Sequence, residues 1–207
     1  MKKFKTPRLD WAKVGGLVPA IVQDGTTQQV LMLGYMNAAA LARTLRTRKV
    51  TFFSRTKKRL WTKGETSGHF LHLLGLEVDC DNDTLLVTVR PDGATCHRGT
   101  PSCFGDEGAT GAGFLAELDQ VVAGRLKSRD PKSYTVRLAG EGVARVAQKV
   151  GEEGVETALA ALSAKDADFA GEAADLLYHL IVLLRVRKLS LADAIDVLEK
   201  RHRPAKK

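Results

Sequence analysis

The chain has 207 residues, 44% of them hydrophobic and 27% charged, with three cysteines and a formal net charge of +8 at pH 7. No run approaches the roughly 18 to 20 apolar residues of a membrane-spanning helix, and the basic start has no apolar segment behind it, so we expect a cytoplasmic protein without a membrane segment. An odd number of cysteines argues against a disulfide framework and leaves reduced thiols free to act as ligands. The positive charge suits an anionic partner, either nucleic acid or a phosphorylated small molecule.

Up to Phe104 the sequence is rich in turns and in short β-type runs bounded by Gly, Asp, Asn or Pro, which predicts strands. Between the second and third runs, NAAALARTLRTR predicts one helix with Asn37 as its N-cap. The predicted strands are GLVPAIVQD, QQVLMLGYM, KVTFFSRT, LHLLGLEVD and LLVTVRP.

The composition changes near residue 110. The stretch GDEGATGAG, residues 105–113, has few side chains to pack and predicts a linker. Beyond it, apolar residues recur at helical spacing and predict four helices separated by loops, one of them containing DPKSYT. The predicted helices are FLAELDQVVAGRLK, about 142–162, about 169–187, and a last one that begins at Ser190, with Asp193 completing a capping box, and ends before Pro204.

These elements predict an α+β protein with two domains. A mostly-β N-terminal domain covers residues 1–106, a linker covers residues 107–113, and an all-α helical-bundle domain covers residues 114–207.

The stretch EVDCDNDTLLVTV, Glu77–Val89, interleaves three aspartates with a cysteine ahead of an alternating apolar run. If this stretch is a strand, Asp79, Asp81 and Asp83 project to one face and Cys80 to the other. Crowded carboxylates repel each other unless a hard divalent cation lies among them, and Mg²⁺ prefers such oxygen ligands. The alternative is a solvated junction between a strand and a loop.

The other two cysteines, Cys96 and Cys103, lie in the turn-rich loop ATCHRGTPSCFG, which can fold both sulfurs toward one point. Three thiolates would fill three tetrahedral positions and leave the fourth for water, which is typical of a catalytic zinc. Because Cys80 is predicted to face away from the aspartates, it could meet Cys96 and Cys103 of a second subunit. The alternative is that the cysteines are small buried hydrophobic residues.

The run SRTKKRLWTKGETSGHFLH, residues 54–72, is basic, contains an aromatic residue and ends in a turn rich in glycine and hydroxyl groups. Backbone N–H groups in such turns bind phosphate together with Lys, Arg, Ser and Thr. The alternative is a solvated basic hairpin. The predicted substrate contacts here are Arg55, Trp61, Lys63, Glu65, Thr66 and Ser67.

The motifs LWTKGETSGH, DCDNDTLLV and TCHRGTPSCFG resemble those of phosphoribosyl-AMP cyclohydrolase, an enzyme of histidine biosynthesis, and cover most of residues 10 to 105. The resemblance implies hydrolytic opening of the C6–N1 bond of an adenine ring, in a homodimer whose zinc sites take one cysteine across the subunit boundary. His97 or His69 is the candidate proton shuttle. The implied zinc ligands are Cys80, Cys96 and Cys103, and the implied magnesium ligands are Asp79, Asp81 and Asp83.

The helical half carries its own acidic pattern, in KVGEEGVETALAAL and GEAADLLYHL. Residues three or four apart share a helix face, so two antiparallel helices could point these acids at each other. A solvated acidic face is the usual alternative, but Asp175 precedes the apolar LLYHLIVLL, where an unpaired carboxylate is costly. His179, within that apolar run, is predicted to be structural. The candidate metal ligands are Glu152, Glu153, Glu156, Glu172 and Asp175.

This pattern resembles the all-α nucleoside triphosphate pyrophosphohydrolases and, with SYT at residues 133–135, KVGEE and ADLLYHL, specifically phosphoribosyl-ATP pyrophosphohydrolase. The resemblance covers roughly residues 114–203 and implies that the five acids hold Mg²⁺ on the polyphosphate, with Lys149 offsetting charge. Gly154 departs from the alanine often found there, at about 1 kcal/mol of helix propensity. The two families catalyse consecutive steps and occur fused in this order.

Three other functions compete with this interpretation. A zinc nucleobase deaminase would need a His-x-Glu and a Cys-x-x-Cys, which the sequence lacks, although a general nucleotide pyrophosphatase fused to a deaminase-like domain stays an alternative. A nucleic-acid-binding protein would use the positive charge and Trp61, but the basic residues are dispersed. We therefore expect a Zn²⁺- and Mg²⁺-dependent bifunctional hydrolase acting on phosphoribosyl-ATP and phosphoribosyl-AMP, without nucleic-acid partners.

Overall fold

The computed structural model of the protein describes residues 4–105, 107–163 and 165–202. They form two compact units, one ending at Phe114 and the other beginning at Leu115. The N-terminal unit contains six strands and one complete helix within the described residues, and the C-terminal unit is helical, which confirms the predicted α+β class. No helix in the described ranges combines the length and apolarity needed to cross a membrane.

The elements of the N-terminal unit are β1 (Val18–Asp24), β2 (Val30–Met36), α1 (Ala38–Thr47), β3 (Thr51–Ser54), β4 (Arg59–Thr62), β5 (Leu71–Val78) and β6 (Leu85–Pro91). Four of the strands form a sheet of order β2-β1-β6-β5, and β3 and β4 form a separate hairpin. Strand β1 pairs antiparallel with β2 and parallel with β6, which in turn pairs antiparallel with β5.

All five predicted strands are present, and the described residues contain one further strand, β4, which lies in the basic run. Charged residues around this four-residue strand hide its alternation. The predicted N-cap of α1 is confirmed, because the Asn37 carboxamide oxygen accepts the Ala40 N–H at 2.8 Å. The core lies on one face of the sheet, where alternate residues of β1 and β6 are buried, as the two-residue period of a strand requires.

Part of the predicted linker packs on the N-terminal unit. The Gln29 side-chain amide donates to the carbonyl oxygens of Glu107 at 3.2 Å and Gly108 at 3.3 Å, and Ala109 is buried. A Cβ on Gly113 would lie 2.6 Å from the Thr27 carbonyl oxygen, so this approach requires glycine. The described part of the stretch is therefore held by the turn between β1 and β2.

The C-terminal unit contains one helix more than the sequence predicted. The additional helix is the short α3 (Tyr134–Gly140), which begins within the predicted loop DPKSYT and whose seven residues are too few to show a helical period. Helix α5 (Asp166–Val186) begins three residues before the predicted start at Phe169. The capping box before α6 (Leu191–His202) is confirmed, because the Ser190 N–H donates to Asp193 Oδ2 at 2.7 Å and the Asp193 N–H donates to Ser190 Oγ at 3.4 Å. The helices are α2 (Ala112–Ser128), α3 (Tyr134–Gly140), α4 (Val143–Ser163), α5 (Asp166–Val186) and α6 (Leu191–His202).

The helical unit has a small buried core and a large exposed apolar surface. Its buried cluster consists of Val122, Leu138, Val146, Ile181 and Val182. Large apolar side chains of α4, α5 and α6 are exposed within the single chain, which is typical of helices that pair with another surface. These include Val155, Leu159, Leu162, Leu177, Leu180, Ile195 and Leu198.

A buried ion pair joins α2 and α5 in this unit. Arg185 Nε donates to Asp119 Oδ1 at 2.6 Å, a second guanidinium nitrogen contacts Oδ2, and Asp119 is 4% exposed.

Asp119→Ala is expected to lower the free energy of unfolding by about 2 to 3 kcal/mol, because it leaves the Arg185 charge without its partner. The loss is moderate because the Arg185 side chain is 26% exposed, so water can still solvate the guanidinium. Urea unfolding followed by helical circular dichroism measures this loss. A loss no larger than that of Asp196→Ala on the exposed α6 surface would contradict the expectation.

Candidate functional site

The three aspartates and Cys80 lie in a turn and not in a strand, so the premise of strand alternation was wrong. Strand β5 ends at Val78 and β6 begins at Leu85. The chain reverses here because the Asp79 carboxylate accepts the backbone N–H groups of Asp83 at 2.9 Å and Thr84 at 3.0 Å. We refer to residues 79–84 as the acidic turn.

The acidic turn nevertheless brings its carboxylates together. Oxygen atoms of Asp79, Asp81 and Asp83 all lie within 4.8 Å of one another, which suits a hard cation with oxygen ligands. Desolvation alone would raise the pKa of Asp79. The hydrogen bonds that its carboxylate accepts from the backbone N–H groups of Thr84 and Asp83 have the larger combined effect and hold this pKa below its usual range. The Lys13 ammonium contacts both Asp81 and Asp83, with Nζ 2.6 Å from Asp83 Oδ2.

Cys96 and Cys103 come together in the loop that follows β6. The loop is tied to β2, because Cys103 N donates to the Leu31 carbonyl at 2.7 Å and Ser102 Oγ donates to the Val30 carbonyl at 2.8 Å. Both cysteines line a cavity of about 480 Å³, here called the thiol cavity. Two neighbouring sulfur atoms are suitable ligands for zinc.

The two thiols differ in acidity. The backbone N–H of Arg98 and then the Thr100 hydroxyl lower the pKa of Cys96. Burial and then the neighbouring Cys96 charge raise the pKa of Cys103. Burial also lowers the pKa of Lys63, against the opposing effect of the two sulfurs. The loop therefore favours a thiolate at Cys96 next to a buried amine.

A second cavity of about 400 Å³, here called the binding cavity, shares Cys96 and His97 with the thiol cavity. It brings together four of the six substrate contacts that were predicted in the basic run, and both candidate histidines. Gly64 turns the chain beneath it at φ +91°, where a Cβ would lie 2.6 Å from the His69 backbone. The predicted residues that line it are Trp61, Lys63, Thr66, Ser67, His69 and His97.

The other two predicted contacts lie elsewhere. The Arg55 guanidinium stacks on the Tyr35 ring at 3.8 Å and does not line the binding cavity. Glu65 caps the turn after β4, because its Oε2 accepts the Thr62 N–H at 3.1 Å while Oε1 pairs with Arg59 at 2.8 Å. Both side chains are thus engaged by neighbouring residues.

The two candidate histidines have different surroundings. His69 Nδ1 lies 3.2 Å from the Ala94 carbonyl, which only accepts, so Nδ1 carries the hydrogen and Nε2 is left as a proton acceptor. His97 Nδ1 lies 3.9 Å from Cys96 Sγ. Both histidines therefore line the binding cavity together with Cys96, and His97 also lines the thiol cavity.

Cys80 lies at the opposite end of the sheet from the other two cysteines. The acidic turn precedes β6 and the Cys96 loop follows it, and this seven-residue strand spans about 20 Å. Cys103 is held at the start of β2, which pairs with the end of β1, and β1 runs parallel to β6. Among the described residues, two groups of three side chains have ligand atoms close enough to hold a metal ion, and neither group includes a cysteine. One chain therefore does not bring the three sulfurs together.

In the helical unit, three of the five predicted acids form a group across α4 and α5. Ligand oxygens of Glu153, Glu156 and Glu172 lie within 4.8 Å of one another, and Glu153 is buried. Lys149 Nζ lies 2.7 Å from Glu153 Oε1 and 3.1 Å from Glu152 Oε2, and these contacts raise the pKa of Lys149. The predicted charge offset therefore has a geometric basis.

The remaining two acids are not part of this group. Glu152 accepts from Gln148 at 2.8 Å and from Arg145 at 3.3 Å, and its contact with Lys149 is the main cause that lowers its pKa. Asp175 is exposed, and its backbone carbonyl accepts from His179 Nδ1 at 2.9 Å. As metal ligands, both residues stay predictions.

His179, which the apolar sequence around it predicts to be structural, has specific partners in the structure. It is buried, its Nε2 lies 3.0 Å from the Tyr134 hydroxyl, and its Nδ1 lies 3.6 Å from Glu153 Oε1.

Lys13 contacts the acidic turn but was not among the predicted site residues. No local pattern indicates it, because it lies 68 positions before Asp81 in the chain.

Comparison with family models and with curated proteins identifies both halves of the chain. Residues 32–105 match the model of phosphoribosyl-AMP cyclohydrolase, and residues 115–202 match that of phosphoribosyl-ATP pyrophosphohydrolase. The first range contains the thiol pair, Cys96 and Cys103, and the acidic turn. The second range contains Glu153, Glu156 and Glu172, here called the helical acid group.

Several curated relatives are similar along nearly their whole length, and each carries the description histidine biosynthesis bifunctional protein HisIE. The relative from Xylella fastidiosa (strain Temecula1) is 61% identical over 197 residues, 95% of this chain and 94% of its own. That from Photobacterium profundum is 57% identical, covering 94% of this chain and 96% of its own, and that from Escherichia coli (strain K12) is 57% identical, covering 94% and 95%. The chain therefore belongs to the family of bifunctional phosphoribosyl-AMP cyclohydrolase and phosphoribosyl-ATP pyrophosphohydrolase enzymes of histidine biosynthesis.

Proposed function

We propose that the chain first converts phosphoribosyl-ATP to phosphoribosyl-AMP and pyrophosphate with magnesium, and then opens the adenine ring of phosphoribosyl-AMP with zinc. The observation that carries this proposal is the donor chemistry of the two units. The helical unit groups carboxylates next to a lysine, whereas the N-terminal unit places two thiols beside a cavity lined by basic, hydroxyl and aromatic side chains.

In the helical unit, Glu153, Glu156 and Glu172 would hold Mg²⁺, with Glu152 and Asp175 as further candidate ligands. When bound, the metal neutralises the polyphosphate and activates a water for attack on phosphorus. Lys149 fixes the orientation of the buried Glu153 carboxylate and offsets part of the negative charge that three acids bring to one point. That charge balance allows a polyanionic substrate to approach the group.

In the N-terminal unit, Cys96 and Cys103 would hold zinc, together with Cys80 of the partner subunit. When bound, zinc activates a water for attack on C6 of the adenine. The oxygen adds to C6, the C6–N1 bond breaks, and N1 takes up a proton. His69 and His97 lie where one of them can move that proton, with Nε2 of His69 able to accept it.

The other side chains of the binding cavity account for recognition. Lys63, Thr66 and Ser67 offer one positive charge and two hydroxyl groups for phosphate or ribose oxygens. The Trp61 indole offers an aromatic surface on which a base can stack. The acidic turn would hold Mg²⁺ through Asp79, Asp81 and Asp83.

We propose a homodimer as the functional unit. Because Cys80 lies between the magnesium ligands, donating it to a partner's zinc also brings the acidic turn of one chain to the thiol pair of the other. The separation of the sulfurs by the length of β6 supports this arrangement. The exposed apolar side chains of α4, α5 and α6 support pairing of the helical units as well.

Metal removal tests the assignment of the two activities. Purified protein is incubated with phosphoribosyl-ATP, and pyrophosphate release is followed alongside the absorbance change of ring opening. We expect a zinc-selective chelator to abolish ring opening and spare pyrophosphate release, and added Zn²⁺ to restore it. Omitting Mg²⁺ should abolish pyrophosphate release. Ring opening at full rate in protein shown to be free of zinc would contradict the proposal.

A further inference from the structure

The acidic turn has a built-in positive charge at the point where its carboxylates meet. Lys13 Nζ contacts Asp81 and lies 2.6 Å from Asp83 Oδ2, and hydrogen bonds from Lys13 to these two carboxylates raise its pKa. The ammonium thus bonds with two of the three side chains that the proposed function assigns to Mg²⁺. Ammonium and a divalent cation both bind carboxylate oxygens, so they compete for the position between Asp81 and Asp83.

Backbone contacts hold Lys13 at the turn. The backbone N–H of Asp10 donates to the Asn82 carbonyl at 2.7 Å, which joins the N-terminal segment to the middle of the acidic turn. The Asp10 carboxylate accepts the Lys13 N–H at 3.1 Å and fixes the start of the turn that carries Lys13. On either side, Leu9 is buried and Trp11 packs against the core of the sheet. The position of Lys13 is therefore a consequence of the fold, although its long side chain is flexible.

From this geometry we propose that Lys13 is an internal counter-ion that competes with the divalent cation for the acidic turn. The proposal rests on the proposed magnesium site. Without the metal, the ammonium neutralises the repulsion between Asp81 and Asp83 and keeps the turn folded. Metal binding displaces the ammonium, which can move away from the carboxylates by rotation about the bonds of the four-carbon side chain. Lys13 thereby weakens metal binding and couples the N-terminal segment to metal occupancy.

Binding of Mn²⁺, counted by the electron paramagnetic resonance signal of the free ion, tests this without turnover. The full-length, zinc-loaded chain carries Glu153→Gln and Glu172→Gln, so that the helical group does not contribute. Into this background we introduce Lys13→Met, Lys13→Gln, Lys13→Arg or Asp81→Asn. Lys5→Met, an exposed lysine of the same N-terminal segment, is the matched control for the loss of one positive charge.

We expect Lys13→Met and Lys13→Gln to tighten Mn²⁺ binding by roughly three- to tenfold, because two partly exposed ion pairs no longer compete. Lys5→Met should change Mn²⁺ binding by less than about twofold, since the charge of an exposed lysine is screened by salt. Lys13→Arg keeps the charge and should stay near the parent. Equal or weaker Mn²⁺ binding in both Lys13→Met and Lys13→Gln would overturn the role of Lys13. If Asp81→Asn removes no bound Mn²⁺, the magnesium site itself is wrong, and the two failures are thereby distinguished.

Discussion

Glu153→Gln is expected to lower pyrophosphate release from phosphoribosyl-ATP by about a thousandfold, equivalent to about 4 kcal/mol of transition-state stabilisation. Glu153 is the buried member of the helical acid group and contacts Lys149 at 2.7 Å. Glutamine keeps the shape of the side chain and removes its charge, so the proposed magnesium site would lose a fixed anionic ligand. Phosphoribosyl-AMP supplied directly should still be turned over at close to the wild-type rate, because the residues that match phosphoribosyl-AMP cyclohydrolase lie in the other unit.

The matched control is Glu199→Gln on α6, which lies outside the acid group and should retain both activities. Circular dichroism and the oligomeric state establish that each variant is folded. Loss of both activities in a folded Glu153→Gln protein would count against independent sites. Asp175→Asn should also abolish pyrophosphate release if that residue is a ligand, and unchanged release would limit the metal site to the group that the structure brings together.

Mixing Cys80→Ala protein with Cys103→Ala protein should restore ring opening, although each alone is inactive. If zinc is shared between chains, a heterodimer has one site with both lesions and one site with all three thiolates. In an isologous dimer that exchanges subunits at random, half of the dimers are mixed, so about a quarter of the wild-type activity should return. The activity is measured as the absorbance change with phosphoribosyl-AMP after exchange.

A control mixture and a contradicting outcome complete this experiment. A mixture of Cys96→Ala with Cys103→Ala should stay inactive, because both lesions fall on the same half of the shared site and every site in the mixed dimer has one. No recovery in the Cys80 mixture, despite demonstrated subunit exchange, would mean that each zinc is bound within one chain. That result would leave the ring-opening chemistry intact and remove the shared site.

Much of the fold could be predicted because its signals are local. The alternation in β1 and β6, the cap at Asn37 and the capping box at Ser190 each depend on residues a few positions apart. The acids of α4 and α5 could be grouped because helical spacing determines which residues share a face. Two elements escaped prediction: the charged residues around β4 hide its alternation, and the seven residues of α3 are too few to establish a helical period.

The errors at the sites arise from three-dimensional contacts that the sequence does not display. A strand and a turn both fit DCDND, and the turn forms because Asp79 accepts two backbone N–H groups. Lys13 reaches the acidic turn only through the packing of the N-terminal segment. The separation of Cys80 from Cys96 and Cys103 follows from their places at opposite ends of β6, which requires the strand order. Arg55 does not line the binding cavity because its guanidinium stacks on the Tyr35 ring.

Disulfide trapping tests the shared zinc site most directly. In a Cys96→Ala chain the remaining thiols are Cys80 and Cys103. The zinc-free protein is oxidised mildly with diamide, separated on a denaturing gel without reductant, and digested to identify the linked peptides. A shared site predicts a covalent dimer whose cross-link joins Cys80 to Cys103. A monomer that contains the same cross-link would contradict it, because both sulfurs would then meet within one chain.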